Sequence, residues 1–492
     1  MLKTLVLSFG FLTMVGSTLL NASEIEDDLS GFEESSEGFT QTDDDLSGFG
    51  EDEGDLSGFS EDDESFGEVT ENISAEASNF SLSGNVAFKT SVGYRKHEVD
   101  GVEYSGFNQA QVSTYLQLDA RLSDNWKLRI SGDAFYDAIY KLRSGDDFRE
   151  EILEDYQTQL RLDDTYIQGS ITDELDLKAG RQIVVWGKSD TIRITDIINP
   201  LDNRLPGMTD IEDLRLSVGM AKFDYYLDQW NISAMIIAEN RIMMEATPRS
   251  EYFPVDTIFN VPTGLPDPFP ELVTPSTSWD NMQYALAANG VFEGWDLSFY
   301  AADVLDQKWH FRQNPSVTAP LLSDRIVSKI KMLGSAVNIS EGSWLLKAEA
   351  AYLDGVKYNN TQEDKSRLDA LIGCDYMGIR DTTFSLELAN RHIFAYETQM
   401  QYQADFIDEN EMQTAIRLTR SFSNDTLNVT ALLSIFGSHW ENGGFSRVWA
   451  EYEIMDALSA NIGVVDYIGG DKPFIEGIKN NDKVFADITY SF

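Results

Sequence analysis

Eight short polar turns, recurring in phase along most of the chain, constrain its fold more than any other feature. They are Leu122-Ser-Asp-Asn-Trp126, Ile171-Thr-Asp-Glu-Leu175, Tyr226-Leu-Asp-Gln-Trp230, Phe292-Glu-Gly-Trp295, Ile339-Ser-Glu-Gly-Ser-Trp344, Gly378-Ile-Arg-Asp-Thr-Thr-Phe384, Phe422-Ser-Asn-Asp-Thr-Leu427 and Ile454-Met-Asp-Ala-Leu458. After each, a segment of alternating apolar and polar residues resumes, the period of a half-buried strand. Between them lie long connections, near 96–108, 141–157, 186–213, 241–280, 305–325, 357–365, 391–409, 438–443 and 468–480. Eight short turns and two chain ends on one side give nine hairpins, hence 18 strands, with 16 as the nearest alternative. The strands are long enough to cross a bilayer when tilted, and the even count is the one bacterial barrels use. A stack of immunoglobulin-like sandwiches also yields many short strands, but does not explain the strict alternation of short and long connections.

Both ends of the chain support the same reading. In Val484-Phe-Ala-Asp-Ile-Thr-Tyr-Ser-Phe492, one face carries Val484, Ala486, Ile488, Tyr490 and Phe492, and the other is mostly polar. This looks like the closing strand of a bacterial outer-membrane barrel, with Phe492 as its signal to the barrel-assembly machinery. At the other end, Met1-Leu-Lys3, an apolar run over 5–20 and small residues at Asn21-Ala22-Ser23 have the form of a secretory signal peptide. Every later apolar run is broken by charge, so a membrane-spanning form must be a closed barrel. The expected organisation is a signal peptide at 1–22, an acidic low-complexity periplasmic segment at 23–79, and a transmembrane antiparallel up-and-down β-barrel at 80–492. The expected location is the outer membrane of a Gram-negative cell, in contact with lipid and lipopolysaccharide.

The chain has one cysteine, Cys374, so a disulfide framework is excluded. Its formal net charge of −46 argues against nucleic acid as a partner. Residues 23–79 hold 21 Asp and Glu and no Lys or Arg. They repeat Asp-Leu-Ser-Gly-Phe at 28–32, 45–49 and 55–59. This composition reads as a solvated spacer, with docking to a periplasmic partner as the alternative. Glu26, Asp28, Ser30, Gly31, Glu34 and Glu37 also match the spacing of a calcium loop, though Glu leads and no flanking helices are evident. No other metal site and no cofactor are expected.

Alternation assigns faces on the strands. Val112, Leu116, Leu346, Tyr352, Phe384, Leu386 and Tyr452 fall on lipid-facing rows, and Ile330 and Met332 are expected there too. The opposite rows carry Arg121, Arg129, Lys329, Lys331, Lys347, Glu349, Arg417 and Arg447, which predicts a wet lumen lined by both charge signs. Each of these charges also fits a salt-bridge ladder that only stiffens the wall. Two loops stand out. The loop from Trp186 gathers Lys188, Asp190, Arg193, Asp196, Asp202 and Arg204, a candidate constriction. Residues 241–280 hold seven of the 12 prolines together with Phe253, Phe259, Phe269 and Trp279, and are expected to fold across the mouth or into the lumen.

The stretch Ala179-Gly-Arg-Gln-Ile-Val-Val-Trp-Gly187, with Asp190 and Asn199-Pro-Leu-Asp-Asn203 following, resembles the signature of a proteobacterial family of porin-like outer-membrane barrels of unassigned function. The resemblance covers about 80–492 and carries over to Gly180, Arg181, Gln182, Trp186, Gly187 and Asp190. It implies a porin-like barrel and, as an alternative, work with periplasmic and inner-membrane partners in moving apolar compounds. Physically, Gly187 suits a sharp exit from a strand, Trp186 an interface position, and Arg181 and Gln182 an anchor for the loop. The leading expectation is a channel for small solutes. An enzyme or a structural anchor are the alternatives, but His97, His310, His392 and His439 come without a nucleophile motif.

Overall fold

A computed structural model of the protein describes residues 79–143, 148–259, 272–312 and 324–492. The expectations for 1–22 and 23–79, including the calcium spacing, lie outside the described residues, as does the 260–271 part of the Pro-rich loop. The barrel strands are β1 (Phe80–Gly93), β2 (Gly106–Ser123), β3 (Trp126–Asp137), β4 (Thr158–Thr172), β5 (Leu175–Gln182) and β6 (Val218–Leu227). They continue as β7 (Trp230–Ile237), β8 (Gln283–Phe292), β9 (Trp295–Leu305), β10 (Lys329–Glu341), β11 (Trp344–Val356) and β12 (Lys365–Ile379). The last six are β13 (Thr382–Ile393), β14 (Asn410–Phe422), β15 (Leu427–Phe436), β16 (Gly444–Met455), β17 (Leu458–Ile468) and β18 (Lys483–Ser491).

All 18 strands form one antiparallel sheet in chain order, and β1 closes it on β18, from Asn85 opposite Ser491 to Gly93 opposite Lys483. Closure removes both sheet edges, which lipid would leave without hydrogen-bond partners. Each of the eight short turns joins the two strands expected, and each of the nine long connections lies at the other end. Tight reversal is built from residues that tolerate left-handed backbone, such as Asp228 (φ 51°) and Gly294 (φ 79°).

The outward face is apolar where alternation placed it. Leu82, Phe88, Val112, Leu116, Leu346, Tyr352, Ile462 and Ile488 are all exposed on the barrel exterior. Trp295 stacks on Phe292 at 4.4 Å and Trp344 meets Tyr376 at 4.5 Å beside the short turns, an aromatic girdle at that interface. The molecule is therefore a closed, membrane-spanning β-barrel. Among the described residues no helix is long and apolar enough to cross a membrane, and the crossing is made by strands.

Two expectations about faces are corrected. Ile330 and Met332 are 4% and 2% exposed and point into the barrel, where they join a buried cluster with Trp186, Ile192 and Ile194. Lys329 and Lys331 share the outward parity of Leu333, which is 66% exposed, so neither lines the pore. They sit at the long-loop end of β10, and Lys329 Nζ donates to the Met282 carbonyl. Near the interface an outward Lys costs only about 0–1 kcal/mol, against roughly 2–4 at mid-membrane.

Candidate functional site

The connection from β5 to β6, residues 183–217, turns into the barrel. Its sequence explains why: Val184, Trp186, Ile192, Ile194 and Ile198 are each less than a tenth exposed and need an apolar surface. That surface is the inner wall around β6 to β14, which presents Met220, Met235, Tyr300, Val304, Met332, Leu353, Leu371 and Ala415 to them. The expectation of a wet lumen lined by both charge signs did not include this apolar surface. The same strands also carry buried Lys347, Glu349 and Glu387, so apolar and charged groups share this wall.

Asn199 closes the base of the loop. Its side chain accepts from Val184 N–H at 2.8 Å and donates to the carbonyls of Gln182 at 3.1 Å and Leu216 at 2.8 Å. Fully buried Gln182 donates to the Lys178 carbonyl at 3.1 Å, tying the strand end to itself.

Two wall carboxylates then capture the loop backbone. Glu349 on β11 accepts the N–H groups of Lys188 (2.5 Å), Ser189 (2.7 Å) and Thr195 (3.2 Å), and the Thr195 hydroxyl at 2.8 Å. Glu387 on β13 accepts those of Asp190 (2.7 Å), Thr191 (3.1 Å) and Ile192 (2.9 Å). Both carboxylates are at most 3% exposed, and seven charge-assisted donors between them offset that burial. Lys347 adds a bridge to Asp190 and another to Asp375 at 2.7 Å. Further along, Asp210 reaches Arg417 on β14 at 3.0 Å and Arg447 on β16. The loop thus leaves the wall at β5 and is fastened at β9, β11, β13, β14 and β16, a chord across the interior.

The signature residues serve this crossing. Gly187 has φ +92°, and a Cβ there would lie 2.7 Å from both Glu349 carboxylate oxygens. Trp186 stacks on Tyr300 at 4.7 Å and is 4% exposed, inside the barrel and not at the lipid interface as expected. Arg181 makes a two-point contact with Glu239, at 3.0 and 2.6 Å, in the following connection. Gly180 (φ +134°) lets β4 approach closely: a Cβ there would sit 2.2 Å from the Thr165 carbonyl oxygen.

The remaining predicted pore residues divide into groups. Arg193 and Arg215 both pair with buried Asp196, at 3.1 and 3.0 Å, so these charges stitch the loop internally. Arg204 pairs with Asp202 at 2.6 Å and donates to Gln159. Lys188 lies 4.0 Å from Asp296, and Arg129 holds Asp119 at 2.8 Å on the wall. Arg121 lies near the short-turn end of β2. Sequence reasoning missed Glu387, Asp210, Thr195, Asn199 and Tyr300 as members of the latch. Glu387 alternates with Leu386 and Leu388 on its strand, a signal of an inward side chain, but only the fold brings it against the loop.

The long-loop end is covered as well. Between β7 and β8, Tyr252, Phe253, Val255, Ile258 and Phe259 are nearly fully buried. Phe259 packs on Phe406 at 5.9 Å and Phe474 at 6.0 Å, and Tyr252 on Tyr467 at 5.9 Å. These partners come from the opposite rim, so the described part of the Pro-rich loop spans the mouth. Among the described residues no cluster of His, Cys, Asp and Glu is arranged to hold a metal ion.

A family model described as "Protein of unknown function (DUF1302)" matches residues 94–492. No curated protein matches the chain. Among solved structures, Acinetobacter baumannii OccAB1 is similar at 10% identity and TM-score 0.47, covering 84% of this chain and 95% of that one. Pseudomonas aeruginosa OccK1 (OpdK) is similar at 11% identity and TM-score 0.46, covering 84% and 98%. Salmonella typhi OmpF, in complex with daunomycin, is similar at 9% identity and TM-score 0.40, covering 84% and 97%.

Proposed function

The chain belongs to the DUF1302 family of proteins of unknown function, whose matched span takes in β2 to β18, and we propose that it is an outer-membrane channel for small solutes, constricted by the β5–β6 loop. One observation carries the reading: the loop crosses the interior and is fastened to the far wall by Glu349 and Glu387. An 18-stranded barrel is wide enough for an aqueous path that side chains alone do not fill. The charged wall of β2 to β4 supports passage of polar solutes, because it replaces part of their hydration. Reconstitution of the purified protein in planar bilayers tests this directly. Stable current steps that scale with salt are expected, and silence from a folded barrel overturns the proposal.

A further inference from the structure

The loop that spans the mouth is tied to the rim by one buried ion pair. Glu251 in that loop meets Lys483, the first residue of β18, at 2.6 Å, and both side chains are buried. Asn481 donates to the Glu251 carbonyl at 2.8 Å, and the Lys483 ammonium lies over the Tyr252 ring at 4.9 Å. The aromatic contacts of Tyr252, Phe253 and Phe259 with the opposite rim flank this tie.

His97, in the connection from β1 to β2, stands against the same pair. Its backbone is clamped on both sides: the N–H donates to the Glu103 carboxylate at 3.1 Å, and the carbonyl accepts from Tyr104 N–H at 2.7 Å. The ring lies 6.3 Å from that of Tyr104, and its Nε2 is buried with no hydrogen-bond partner among the described residues. Burial holds the imidazole below its ordinary range and Lys483 lowers it further, while Glu251 and Glu103 only partly oppose this. A neutral ring is tolerated there. A charged one would add to the field of Lys483, whose counter-charge Glu251 is already engaged.

His97 and Glu98 also border a cavity of about 300 Å³ between this connection, the mouth loop and residues 476–480, which gives protons a route to the ring. The other charges around it are paired among themselves: Arg249 with Asp256 at 2.9 Å, Lys479 with Glu476, and Asp100 with Arg149. Once the loop leaves the rim, the imidazole titrates in its ordinary range, about pH 6.5. The released state therefore binds the proton more readily than the closed one. Closure is strongest above that range and weakens as pH falls through it.

We propose that the contact of His97 with the Glu251–Lys483 pair is a pH-sensitive lock on the mouth, and that acid loosens residues 246–259 from the rim and opens the path. As regulation of passage, the lock rests on the channel reading.

The test compares the full chain with H97Q and H97N, neither of which can take up the proton, at pH about 7.5 and about 5. Heat-modifiable gel migration verifies that each barrel is folded. Open fraction is recorded in planar bilayers, and backbone hydrogen exchange of residues 246–259, corrected for the intrinsic effect of pH, is followed in parallel. On acidification the wild type is expected to gain severalfold in open fraction and to lose protection severalfold over 246–259, while both variants change little. Current with unchanged protection in the wild type, or with equal responses in all three proteins, overturns the lock and leaves the channel standing. Silence at both pH values, with protection that still depends on pH and on His97, overturns the channel and keeps the lock.

Discussion

Glu349 and Glu387 show how few residues hold the inner loop in place. Each accepts three backbone N–H groups of the buried loop. A buried donor left unsatisfied costs roughly 1–3 kcal/mol. E349A or E387A is therefore expected to release the 188–196 segment, read as faster backbone hydrogen exchange there with the wall strands unchanged. Equal exchange in the variants would contradict the latch. Gly187→Ala combines left-handed backbone with a clash against the Glu349 carboxylate, and should destabilise the loop by about 1–3 kcal/mol. Thermal unfolding of the folded barrel measures this, and an unchanged midpoint would mean the loop can leave Glu349 without penalty. None of these roles was legible residue by residue. An inward Glu on an alternating strand looks the same whether it meets water, a cation or a loop.

Elements were far more legible than contacts. The short turns fixed where each hairpin reverses, because Asp, Asn, Gly and Ser reverse the chain and a bulky apolar residue re-enters the bilayer. Face assignment held on strands that run deep into lipid, including β11, where Lys347 and Glu349 point inward against Leu346 and Tyr352. It failed at the rim end of β10, where Ile330 and Met332 alternate with two lysines. There the lipid penalty for charge fades, and the buried loop supplies an apolar surface inside. Alternation alone cannot tell those two environments apart. The neighbouring β9–β10 connection carries a pH-sensitive contact. Burial holds the His310 imidazole below its ordinary range, with its ring bonded to Ser328 at 2.8 Å and the Phe311 carbonyl at 3.1 Å. The unfolded connection then binds protons more readily than the folded one, so this stability is present above the ordinary imidazole range and lost as pH falls through it. Limited proteolysis should cut the connection faster at pH about 5 than at pH about 8. H310Q should reduce that difference, and equal rates in wild type at both values would contradict the assignment.

At the scale of the whole molecule, strand count, direction and closure followed from periodicity and turns, because a barrel repeats one local rule 18 times. What fills its interior did not follow, since the loop and its latch depend on residues nearly two hundred positions apart, such as Ile192 and Glu387. The proposed channel depends on the β5–β6 loop being the element that narrows a conducting path. Single-channel conductance of the wild type against a variant in which a short Gly-Ser linker replaces residues 188–214 measures this most directly. The account predicts discrete steps in both, with a severalfold larger step in the variant. Equal conductance in two folded barrels would contradict it.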